Sequence, residues 1–249
     1  MDMEKLCYHL PKGIGKKCLH LTEAVPLMRF VIRIARFRFT PLQALVHLAA
    51  WIPLALLVID GLTGRLSANP IQDLTFRTGK TAMVLLLLSL SCTPLAVWLG
   101  LRQALKVRRA LGLYAFAYAA LHFGVYLVID YGFDLRLIAW ELSEKRYVVV
   151  GFAAFLLLVP LAITSTRGWQ RRLRHRWKTL HKAVYPAAVL VMVHYAWVQK
   201  ADIRQPLVFS AVLLLLLALR LPALRRWAAI RPRWRARMRR SKSSVGEEP

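Results

Sequence analysis

The stretch ALGLYAFAYAALHFGVYLVI, Ala110–Ile129, runs for twenty residues without a charge and carries a single histidine, His122. A helix needs about 20 residues to cross the hydrocarbon core of a bilayer, so this stretch predicts a membrane-crossing helix. It lacks the polar–apolar alternation of a membrane barrel strand. Five more apolar stretches lie on either side of it: Pro41–Ile59, Thr81–Gly100, Tyr147–Ile163, Leu180–Val198 and Pro206–Leu219. Of these only Leu180–Val198 holds a charge, Lys182, near its end. Pro206–Leu219 is short, and Leu221 extends it if Arg220 snorkels. The chain has 249 residues, of which 57% are hydrophobic. It reads as an all-α membrane protein, a bundle of six transmembrane helices.

The net charge of +25 raises nucleic acid as a partner, and the placement of the charges argues against it. Lys and Arg number eight before the first span, four in 101–109, six in 167–178 and ten after the last span. The connections 60–80, 130–146 and 199–205 hold three, three and two. Strict alternation of rich and poor connections is the positive-inside pattern, which predicts both termini in the cytoplasm. Residues 1–38 form a basic N-terminal extension, 39–221 the membrane domain, and 222–249 a basic cytoplasmic tail that serves topology or touches anionic lipid. The extension lacks the apolar core and cleavage site of a secretory signal, and Met28 is a second possible start. Cys7 and Cys18 match no zinc spacing, and Cys92 falls inside a span. The acidic residues Asp130, Asp134, Glu141 and Glu144 make 130–146 an acidic outer connection and a docking candidate.

An ionisable side chain at bilayer depth is costly and marks a functional site by default. His122, His181, His194 and His47 all lie in spans. Imidazole is the usual axial ligand of haem iron. Ala119 and Ala115 share the helix face of His122 and leave room for a flat macrocycle; a helix–helix hydrogen bond through small residues accounts for them equally well. At 1.5 Å per residue His122 sits roughly 16 Å, and His194 roughly 21 Å, from the inner ends of two helices that run the same way. Two imidazoles at similar depth can clamp one iron and leave a low-spin centre suited to electron transfer. His181 lies about 20 Å below His194 on the same helix and points to another side of it unless Pro186 bends the chain. A second, inner haem would need another ligand; His47 matches by depth, and an ordinary buried polar role suits it as well. His175 lies in a cationic connection.

Other chemistries find little support. No glycine-rich dinucleotide fingerprint is present, and there is no nucleophile elbow or zincin pair. No Asp or Glu falls inside a span, which weakens a coupled transporter. A non-redox transporter or scaffold whose histidines only hydrogen-bond, and a self-contained ferric or quinone reductase, stay open as alternatives.

Several short segments together resemble the MsrQ (YedZ) family, haem-binding membrane subunits of the periplasmic methionine sulfoxide reductase system within the ferric-reductase-like transmembrane group. They include Asn69-Pro70-Ile71-Gln72-Asp73, Thr78-Gly79-Lys80-Thr81-Ala82, Thr93-Pro94-Leu95, Arg108-Arg109-Ala110-Leu111-Gly112-Leu113-Tyr114 and Tyr118-Ala119-Ala120-Leu121-His122. Arg146-Tyr147 with Gly151, Trp177-Lys178-Thr179-Leu180-His181-Lys182 and His194-Tyr195-Ala196-Trp197 continue the series. The chain departs from the pattern in its N-terminal extension and in Arg174, where the family usually has glycine. The resemblance implies a ferric-reductase-like helical bundle in the bacterial inner membrane. It implies haem b, one or two, held by His122, His181 and His194, and FMN as a further cofactor. It also implies electrons drawn from quinone and passed to a periplasmic molybdopterin-containing reductase subunit.

Overall fold

The computed structural model describes residues 40–199 and 202–221; the expectations for 1–38, for Cys7 and Cys18, and for the tail 222–249 fall outside them. Among the described residues the chain is helical throughout. Helix α1 covers Pro41–Leu62, α2 Pro70–Trp98, and α3 Ala104–Gly124, which runs on as a π-helix over Val125–Asp130. Helix α4 covers Leu135–Glu144 and α5 Arg146–Ile163. The short α6, Arg167–Leu173, and α7, His175–Leu180, lead through a 3₁₀ turn, His181–Ala183, into α8, Val184–Val198, and α9 is Arg204–Ala218. Each of the six apolar stretches is helical. Four helical segments are long and apolar enough to cross a membrane: Pro41–Leu62, Pro70–Trp98, Ala104–Asp130 and Arg146–Ile163. The helices α8 and α9 are shorter, at 15 residues each.

Local chemistry explains where the elements begin. Helix α2 starts eleven residues before its apolar stretch because Asn69 caps it, accepting from Gln72 N at 3.2 Å, with Pro70 at the first helical position. That is the favoured start of a helix. The acidic Asp73 in the first turn suits the helix dipole and forms an ion pair with Arg77, which also pairs with Asp60 at the end of α1. The expected connection 60–80 is thus mostly helix. The connection 130–146 is likewise helical: Asp134 caps α4 through Arg136 N and Leu137 N.

The central packing consists of two hairpins, α2 against α3 and α5 against α8, with α5 also touching α3. Leu86, Leu90, Cys92, Leu111 and Ala115 bury one interface, and Ala187, Ala188 and Met192 the core side of α8. Many leucines on α1 and α9 stay exposed, as expected where lipid is the solvent. Helix α1 is fastened by a hydroxyl. Tyr118 Oη accepts from Leu54 N at 3.1 Å and donates to Ala50 O at 2.7 Å, so it sits inside the bond these two groups would otherwise share. Pro53 has already removed the neighbouring N–H, and the inserted hydroxyl re-satisfies the opened turn. Just past the end of α9, the condition on which Leu221 would extend the last span, a snorkelling Arg220, is not met. Its guanidinium turns inward, donating to Tyr185 Oη and to Leu90 O. A planar cation beside apolar helix ends finds fixed acceptors there.

Candidate haem site

Between the two hairpins lies a cavity of about 750 Å³, within the range of cofactor sites. His122 from α3 and His194 from α8 stand in its wall with ring centroids 6.2 Å apart and ring planes 76° apart. Their helices run in the same direction, so the similar depth expected from sequence becomes a direct approach.

Both rings are set in the same way. His122 Nδ1 lies 2.9 Å from Thr75 O, and His194 Nδ1 lies 2.7 Å from Tyr147 O. A carbonyl only accepts, so each Nδ1 carries the proton and each Nε2 keeps its lone pair, the arrangement that orients a ligating imidazole. One turn along from each carbonyl is a glycine. A Cβ on Gly79 would stand 3.0 Å from His122 Nδ1, and a Cβ on Gly151 would stand 2.7 Å from His194 Nδ1. The missing side chains let each ring stand close against the neighbouring helix, most strictly at Gly151. Thr75 and Tyr147, Gly79 and Gly151, and His122 and His194 are each separated by 72 positions. The two hairpins therefore present equivalent surfaces to the cavity, although no repeat is legible in the sequence.

The residues present fit a haem. Metal–imidazole bonds of roughly 2 Å on either side of one ion, plus two ring radii of about 1 Å, separate ring centres by roughly 6 Å. Among the described residues no three His, Cys, Asp or Glu side chains converge as a metal site. Two imidazoles alone suit an iron whose other ligands come from a macrocycle. Ala115 and Ala119 line the cavity beside His122, and Phe76, Phe123, Phe152 and Phe155 supply apolar wall. Tyr126 Oη, buried on the cavity wall, has no hydrogen-bond partner among the described residues. A group or water in the cavity would satisfy it, since buried polar atoms are normally hydrogen-bonded.

The other histidines stand elsewhere. His181 opens the 3₁₀ turn, stacked on Trp177 with ring centroids 4.0 Å apart, its Nδ1 3.2 Å from Trp177 O. It does not line the cavity. The break that turns it away from His194 is this 3₁₀ turn, whereas Pro186 lies in the first turn of α8. His47 Nδ1 lies 2.8 Å from Tyr114 Oη, in edge contact between α1 and α3.

At the Tyr126 end the cavity meets Asp130, Tyr131, Glu141 and Lys145. Glu141 does not offer the expected acidic docking surface. It is 5% exposed and turned inward, with Lys145 Nζ 2.7 Å from its Oε2. The contact is an ion pair without a well-aligned hydrogen bond. Glu141 in turn holds the Lys145 ammonium above its ordinary pKa. Burial, with help from Glu141, pushes the Tyr131 phenol well above the usual tyrosine range.

Sequence reasoning missed the two glycines as supports and the two carbonyls as orienters. Each glycine follows its carbonyl residue by four positions, one helix face, and lies in or beside an apolar stretch, which is the signal that could have found it.

The ferric reductase like transmembrane component matches residues 78–192. The chain is 43% identical over 184 residues to the protein-methionine-sulfoxide reductase heme-binding subunit MsrQ of Xanthomonas euvesicatoria pv. vesicatoria, covering 72% of this chain and 84% of that protein. The MsrQ of Rhodospirillum rubrum is 46% identical over 183 residues, covering 73% of this chain and 88% of that protein.

Proposed function

Because the chain belongs to the MsrQ family of heme-binding subunits, with a ferric-reductase-like transmembrane component, we propose that it is an electron carrier within the membrane, holding haem b between His122 and His194. The observation that carries this reading is the pair of imidazoles 6.2 Å apart, each with its Nδ1 committed to a backbone carbonyl. Haem bound there supplies a one-electron centre. The chain's part is to fix both imidazoles, which would hold the group, and to supply apolar wall from Phe76, Phe123, Phe152 and Phe155.

Electrons enter from quinone and leave to a periplasmic molybdopterin-containing reductase subunit, which restores methionine in oxidised envelope proteins. His181 serves a second haem toward the inner side, with His47 as its partner by depth, and FMN is a further cofactor. The helices make six crossings of the bacterial inner membrane with both termini in the cytoplasm, where the basic stretches 1–38 and 222–249 lie. The alternation of basic connections supports this orientation. A non-redox scaffold would not need two cavity-lining histidines with their Nδ1 atoms committed in the same way.

The test is spectroscopic. Protein purified from haem-replete cells should carry a Soret band that sharpens on dithionite addition, with a low-spin ferric signal. His122→Ala and His194→Ala should each lose that signal and most of the haem. Colourless wild-type protein, or full low-spin haem in both variants, would overturn the assignment. Electron delivery to a purified periplasmic partner, absent with free iron chelates, separates this role from that of a self-contained ferric reductase.

A further inference from the structure

Four charged side chains line the cavity: Lys80, Asp130, Glu141 and Lys145. Lys145 is taken by Glu141. Lys80 stands differently. Among the described residues no carboxylate lies within ion-pair distance of it, and its one hydrogen bond is to a neutral amide, Gln205 Oε1, at 3.1 Å. An ammonium has three donors, so two remain for a ligand.

Its position is fixed from two sides. Lys80 follows Gly79, the support of His122. Gln205, on α9, also accepts from Tyr195 Oη at 3.2 Å, and Tyr195 follows His194. A polar strut thus runs from the support of one imidazole to the neighbour of the other, with an ammonium on it at the cavity lip. Lys80 is exposed from the packed helices and lies within the span Pro70–Trp98, where an ammonium gains from an anionic partner. Asp130, Glu141 and Lys145 lie at the Tyr126 end, whereas Phe76, Phe123, Phe152 and Phe155 give the same cavity apolar wall. A cation so held at the lip fits a flat apolar ligand that carries an anionic edge.

We propose that Lys80 binds a carboxylate of the macrocycle, a haem propionate, and so fixes which edge of the ring faces the cavity lip. This rests on the reading of His122 and His194 as the imidazole pair, and it adds a residue that holds the ligand by charge. Lys80 is a positioning residue: it orients the ring, and its charge also favours the reduced haem.

The test uses full-length protein made without haem and titrated in detergent with haem or with haem dimethyl ester, whose carboxylates are blocked. Wild type and Lys80→Arg should prefer haem about three- to fivefold, the size expected of one exposed charge pair. Lys80→Met and Lys80→Gln should lose that preference while binding the ester as wild type does, and their haem midpoint potential should fall. An equal preference in all four proteins, or none in wild type, overturns the proposal. The imidazole reading is checked separately. If His122→Ala and His194→Ala bind both porphyrins like wild type, that reading has failed and this proposal falls with it.

Discussion

Gly151→Ala tests the site through one added methyl group. On its own helix the change should be mildly favourable, since alanine exceeds glycine by about 0.5–1 kcal/mol in helix interiors. The cost comes from the neighbour. The new Cβ would stand 2.7 Å from His194 Nδ1 and 2.8 Å from Cε1, closer than real Cβ atoms come, and 3.2 Å from Cγ. The ring must move, and its Nδ1 contact with Tyr147 O at 2.7 Å must lengthen or break. A buried hydrogen bond left unmade costs about 1–3 kcal/mol, and overpacking adds a similar amount. Losing an orienting partner of a metal-ligating histidine costs about 10–100-fold in metal affinity. Gly79→Ala repeats the perturbation more gently, at 3.0 Å from His122 Nδ1, and Gly124→Ala meets nothing within 4 Å. Haem per protein, and the share that is low-spin, should therefore fall most in Gly151→Ala, less in Gly79→Ala and not at all in Gly124→Ala. Full low-spin haem in Gly151→Ala would refute the argument, since the ring would then not depend on its glycine support.

Arg174 adopts φ 47°, a region open to glycine and strained for other residues, at the position where the family resemblance expects glycine. Arg174→Gly should raise the thermal midpoint in detergent by an amount equivalent to about 1 kcal/mol, and an unchanged or lower midpoint would contradict the strain. Glu141→Lys puts a second cation beside Lys145 in a buried position and should sharply reduce the yield of folded protein. Asp134→Ala removes only the cap of α4, at about 1 kcal/mol. Similar yields for the two variants would show that Glu141 is a surface group after all. The raised pKa values of Lys145 and Tyr131 mean that both groups favour the fold when protonated. Their contribution is complete below the ordinary lysine and tyrosine values and is lost as pH rises through the folded ones. Thermal stability should accordingly drop above about pH 10, and Tyr131→Phe should flatten that drop; an identical alkaline profile in the variant would count against it.

Much of the bundle was legible because lipid imposes a one-dimensional rule. Each uncharged stretch of sufficient length must satisfy its own backbone bonds, so Pro41–Ile59, Thr81–Gly100, Ala110–Ile129 and Tyr147–Ile163 could only be helices. The ends were less legible, since a cap can extend a helix past its apolar stretch. Asn69 does so for α2 and Asp134 turns an expected loop into α4. The fate of Glu141 was hidden because an acidic run looks the same in sequence whether it faces water or a cavity.

The sequence by itself determined that the chain enters a membrane, and that His122 and His194 lie at comparable depth on helices running the same way. Both follow from residue type and from a fixed rise per residue. Only the tertiary structure decided that these two rings approach each other in one cavity, with His181 outside it against Trp177 and His47 against Tyr114. Rotation and pairing of helices depend on contacts between residues far apart in the chain. Two glycines seat the rings and two carbonyls fix their tautomers, and neither effect shows in the local pattern around a histidine.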